Sequence, residues 1–135
     1  LAPADYRAHV LPHLSRLLEF TRGLGVPTIL FARGNANLLA QVAELPADVL
    51  GIDWSIDLDQ AIRVTGPDRV VQGNLDPMAL LGTPALVESK ARAIVAAGRA
   101  AKAHIFNLGH GISRHTDPAI ARHLVQVVHA ASALA

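Results

Sequence analysis

Four short apolar runs, each followed by a polar loop and then a helical pattern, constrain this chain more than any other feature. They are Thr28-Ile29-Leu30-Phe31, Asp48-Val49-Leu50-Gly51-Ile52-Asp53, Arg69-Val70-Val71-Gln72-Gly73 and His104-Ile105-Phe106-Asn107-Leu108. Apolar runs without strict polar alternation suit strands covered on both faces, as parallel strands are. Parallel neighbours need long crossovers, and the helical patterns between the runs supply them, with a right-handed path expected. A helix first, then four strand-helix units within 135 residues, reads as one domain of the α/β class. Two architectures fit: a small doubly wound sheet, or part of a (β/α)8 barrel, which needs about 250 residues when whole. The pattern alone leaves both open.

The helices carry their own signals. Tyr6, Val10, Leu14, Leu17 and Leu18 mark one apolar face, which Pro12 should bend and Gly23 and Gly25 should stop. Leu38, Leu39, Val42 and Leu45 predict a short helix after the first strand. Asp57 and Gln60 have capping-box spacing, with Leu58 and Ile62 as the apolar pair behind them. Thr83-Pro84 and Asp117-Pro118 each place a capping side chain before a helix-starting proline. Leu86, Val87, Ile94 and Val95 should line the buried side of the first of these helices, and Ile120, Leu124, Val127 and Val128 that of the second.

Composition excludes several functions. Twelve basic and eleven acidic residues give a net charge of +1, with no basic concentration of the kind that nucleic acid selects. The absence of cysteine rules out disulfides, thiolate metal sites and a cysteine nucleophile. No apolar run approaches the ~18 residues of a membrane span, and Leu1-Ala2-Pro3-Ala4-Asp5 lacks a signal peptide's basic start, so the chain reads as cytoplasmic. No Gly-x-Ser-x-Gly elbow, Walker loop or Gly-x-Gly-x-x-Gly occurs. His104, His110 and His115 are close in sequence but lack a metal-ligand spacing, and His9, His13, His123 and His129 read as helix-surface residues.

Parallel α/β folds bind ligands at the carboxyl ends of their strands. Those ends carry Arg33-Gly34-Asn35, Asp53-Trp54, Gly73-Asn74-Leu75-Asp76-Pro77 and Asn107-Leu108-Gly109-His110-Gly111. His110, between two glycines, combines close backbone approach with a ring that titrates near neutrality; a turn histidine is the plain alternative. Asp53 and Asn74 stand as supporting residues of this mouth. Asp53 could hold a ligand N–H, or serve as a helix cap or ion-pair partner of Arg33 or Arg63. The plain alternative for Asn74 and Asp76, before Pro77, is a turn that starts the next helix.

Three stretches resemble the uroporphyrinogen decarboxylase family in order and spacing: Gly51-Ile52-Asp53-Trp54, Gln72-Gly73-Asn74-Leu75-Asp76-Pro77 and His104 through Ile112. The opening Pro3-Ala4-Asp5-Tyr6-Arg7 to Leu11-Pro12-His13 and the closing Val128-His129 are similar too. Arg33-Gly34-Asn35-Ala36 departs, since bacterial members tend to carry more glycine there. The resemblance implies that residues 1–135 are the C-terminal half of a (β/α)8 barrel, strands five to eight with the helix before them, and that the N-terminal half is absent. It implies decarboxylation of the four acetate arms of uroporphyrinogen to give coproporphyrinogen, with neither metal nor organic cofactor, and a homodimer when full length. The family's arginine-rich motif, catalytic aspartate and tyrosine have no counterpart here, so no catalytic residue is expected in this chain, which alone should be inactive. Only the substrate-contacting histidine carries over, onto His110, where a charge-assisted bond to a substrate carboxylate is reasonable. A related barrel methyltransferase, which would hold zinc through cysteine, and a noncatalytic tetrapyrrole-binding domain are the alternatives.

Overall fold

The computed structural model describes residues 1–34 and 36–133. Strands β1 (Ile29–Phe31), β2 (Val49–Gly51), β3 (Val70–Leu75) and β4 (Ala103–Leu108) form one sheet in the order β1-β2-β3-β4, every pair parallel. The connections are α3 (Leu39–Val42), α4 (Leu58–Thr65) and, between β3 and β4, a 3-10 helix (Pro77–Leu81) followed by α5 (Pro84–Gly98). Helices α1 (Pro3–His9) and α2 (Leu11–Gly23) precede the sheet, and α6 (Pro118–Ser132) follows it.

The expected bent first helix is two helices, because Pro12 cannot donate to the carbonyl four residues back and its ring crowds that carbonyl. The break falls at Val10, whose own N–H still bonds Tyr6 O at 2.9 Å. Tyr6, Leu11 and Leu18 are buried there, but Leu17 is exposed, so the apolar face is narrower than its spacing predicts. Thr83 and Asp117 cap α5 and α6 as expected, through bonds from the amides of Leu86 and Ala119. Asp57 occupies the N-cap of α4 without a side-chain bond; its backbone carbonyl accepts from Ala61 while the exposed carboxylate turns away, and no capping box forms. Leu86, expected on the buried side of α5, is exposed, while its neighbour Val87 is fully buried.

Two apolar clusters join the helices to the sheet. One gathers Leu18, Leu39, Val42, Leu50, Ile62 and Val71, among others, under β1 to β3. The second gathers Leu75, Leu80, Val87, Ala91, Leu124 and Val127 beneath β3 and β4, and Ile94 packs against both. Alternation along each strand sends Leu50 and Val71, which are paired in register, into this helix-covered side. It sends Phe31, Gly51, Gln72 and Ile105, also in register, to the opposite side, which no helix among the described residues covers. There Ile29 is 51% exposed, and Phe31 and Ile105 are each 43% exposed.

Candidate active-site mouth

β3 runs two residues past its expected end at Gly73, because β4 pairs with it to the last position, Asn74 with Asn107 and Leu75 with Leu108. Asn74 is therefore a strand residue rather than part of a turn. Its buried amide donates to Asp53 O at 2.9 Å and to Ile56 O at 2.7 Å, using both N–H groups to fix the loop after β2. Asp76 follows as expected, accepting from the Met78 amide at 2.9 Å to start the 3-10 helix.

Asp53 lies just past β2 and is 1% exposed. A buried carboxylate is costly unless donors surround it. One oxygen accepts the Ser55 amide at 2.8 Å and the Ser55 hydroxyl, and the other accepts the Gly34 amide. Gly34 has φ +65°, a turn conformation that side chains resist, so glycine lets its amide face the carboxylate. Asp53 thus ties the loop after β1 to the loop after β2. The ion-pair alternatives give way to other contacts: Arg63 pairs with Asp59 at 2.7 Å, and Arg33 lies over the Trp54 ring, 5.8 Å from its centroid.

The loop after β4 closes on the same point. A Cβ on Gly109 would sit 2.4 Å from Trp54 N, so only glycine allows this approach. The next residue, His110, is exposed, with its ring edge-on to Trp54 at 5.7 Å and 82° and to Phe31 at 6.4 Å and 61°. Beside it opens a cavity of about 550 Å³, lined by Phe31, Ile52, Gln72, Leu108, His110 and Ile112 among others. Asp53, Asn74 and His110 therefore meet at one end of the sheet, with the first two beneath the surface and His110 on it.

His104 and His115 do not join them. His104 Nε2 bonds Gly73 O at 2.7 Å; burial pushes its pKa below the usual histidine value, and this bond opposes the shift. His115 Nε2 accepts from Arg114 at 3.1 Å. Among the described residues no group of three or more His, Asp or Glu side chains could hold a metal ion. Phe31 and Ser55 belong to the mouth without having been singled out. The Asp-x-Ser spacing of Asp53 and Ser55 signals a side-chain-to-backbone turn. Asn35, within the first candidate loop, lies outside the described residues.

Comparison with known proteins agrees with this geometry. The family model described as uroporphyrinogen decarboxylase (URO-D) matches residues 1–131. The uroporphyrinogen decarboxylase of a Nocardioides species is 51% identical over 128 residues, covering 95% of this chain and 37% of that protein. That of Streptomyces coelicolor is 45% identical over 129 residues, covering 96% and 36%. The chain thus spans little more than a third of these relatives. A solved methyltransferase from Methanosarcina mazei superposes with a TM-score of 0.80 at 22% identity, over 96% of this chain and 38% of that one. The four parallel strands and their helices form part of a (β/α)8 barrel.

Proposed function

Because this chain belongs to the uroporphyrinogen decarboxylase family, we propose that it supplies one side of the mouth in which uroporphyrinogen loses its acetate carboxyl groups, and that it does so as the C-terminal part of the barrel. The observation that carries this reading is His110: it stands on the mouth, backed by Trp54 and Phe31, beside a cavity with an apolar wall. An imidazole there can hold a substrate carboxylate through a charge-assisted bond while the macrocycle rests on Phe31 and Ile112. Asp53 and Asn74 act through position. The Asp53 carboxylate accepts from Gly34 and Ser55 and the Asn74 amide donates to two backbone carbonyls, contacts that fix the loops presenting Trp54 and His110.

His110 binds and orients, and the acid-base and charge-stabilising groups come from the rest of the barrel. Preorganised charge is the largest usual source of rate, so the chain by itself does not decarboxylate. The complete protein works as a cytoplasmic homodimer that needs neither metal nor organic cofactor and binds no nucleic acid. In a barrel completed with the missing portion of the Nocardioides relative, His110→Asn should raise KM about tenfold or change the order of the four decarboxylations while turnover remains measurable. Unchanged KM and order would remove His110 from the substrate site; complete loss of turnover in a folded variant would make it more than a binding residue.

A further inference from the structure

Arg33 is a cation at this mouth to which the preceding reading gives no role. It is exposed and enters no ion pair with a described residue, yet its guanidinium is placed over the Trp54 ring. Its position is built from below. The amide of the next residue, Gly34, is tied to buried Asp53; Asn74 holds the Asp53 carbonyl; and Gly109 packs against Trp54 N. One indole therefore carries a guanidinium, at 5.8 Å, and an imidazole, at 5.7 Å, from loops that follow the two edge strands.

We propose that Arg33 and His110, set against Trp54, form a carboxylate-binding rim that selects ligands carrying several carboxylates on aromatic rings, whether one benzene ring or the linked pyrroles of a porphyrinogen. Guanidinium offers a rigid fork of N–H donors that matches a carboxylate bidentately, and stacking on an aromatic face keeps that fork oriented. The cavity beside His110 provides apolar surface for the ring that carries the carboxylates. This rests on the preceding reading for its natural ligand, where the carboxylates are those of a tetrapyrrole, but not for its geometry. Arg33 here is a specificity-determining residue, and the reaction itself does not require it.

Trp54 is the only tryptophan, so its emission reports on the rim directly in the 135-residue chain. Titration with pyromellitate, a benzene tetracarboxylate, should change that emission saturably and more weakly as salt rises, whereas uncharged benzamide should not. Arg33→Gln should weaken pyromellitate about tenfold, and Arg33→Lys, which keeps charge but loses the fork, by less. Circular dichroism checks that each variant keeps the wild-type fold, and the salt dependence of the unmodified chain tests the rim without any substitution. No saturable change with the wild type, or equal affinity in Arg33→Gln, overturns the proposal. Uroporphyrin, titrated in parallel, separates the two ideas. Tight uroporphyrin binding that ignores Arg33→Gln overturns the rim and leaves the tetrapyrrole reading. Arg33-dependent pyromellitate binding without uroporphyrin binding keeps the rim and overturns the tetrapyrrole reading.

Discussion

The two faces of the sheet differ in what they touch. On the helix side, Leu50 and Val71 are sealed beneath α3, α4 and α5. On the other side, Ile29, Phe31 and Ile105 are half exposed, although their sequence is as apolar as that of buried strands. The accessible surface of 7725 Å² fits this contrast, since a compact protein of 14.2 kDa should expose roughly 6,800 Å². The excess, about 900 Å², is the size of one partner's share of a stable interface. Among the described residues both sheet edges, β1 and β4, have a free side as well, and Leu17, Phe20 and Leu24 form an exposed apolar stripe on and just past α2. The lesson is that a strand's composition records the assembly in which it is buried, and this sheet is written for cover on both faces.

The sharpest way to break that contrast is to truncate one residue on each face. Leu50→Ala should destabilise the chain by about 2–5 kcal/mol, whereas Ile105→Ala should cost under about 1 kcal/mol in the isolated chain, as read by urea unfolding. Equal costs would mean that the open face is covered in solution. The mouth gives the next largest effect. Asp53→Ala leaves the Gly34 and Ser55 donors without their acceptor and should cost about 1–3 kcal/mol, and Asn74→Ala should cost about as much through the two carbonyls it abandons. In a completed enzyme, both should lower the unfolding temperature more than kcat; a larger loss of rate than of stability would place either residue in contact with substrate.

The smallest effect belongs to His104, on the covered face. Its folded pKa is depressed, so the unfolded chain binds more protons as pH falls below the ordinary histidine value near 6.5. Its contribution is therefore fully present above that pH and is lost as pH falls toward the folded pKa. The urea midpoint should drop between pH 7.5 and 5.5, and His104→Gln should flatten that slope; an unchanged slope would show that His104 is not the group responsible.

Much of this was legible from spacing. The four strands, the caps at Thr83 and Asp117, and the gathering of Asp53, Asn74 and His110 at one end follow from local rules: apolar runs, proline after a capping residue, and strand ends that share a side. What escaped depends on neighbours distant in sequence. Asn74 continues β3 because Asn107 pairs beside it, and Leu17 is exposed because α2 turns Leu11 and Leu18, not Leu17, into the core. The Gly34-to-Asp53 tie joins positions nineteen apart, and no periodicity records such a contact. The choice between doubly wound sheet and barrel was also beyond pattern. It turns on whether the uncovered face closes on itself, and the sequential strand order is that of a barrel.

If the chain holds one side of a decarboxylation site, as proposed above, the other side lies across the open face. Coproporphyrinogen formation tests this directly, with uroporphyrinogen kept reduced and offered to the chain alone, and to the chain mixed with the separately expressed remainder of the Nocardioides relative. The expected result is product only from the mixture, with the two pieces co-eluting as one complex. Product from the chain by itself, or none from a folded, co-eluting complex, would contradict the account.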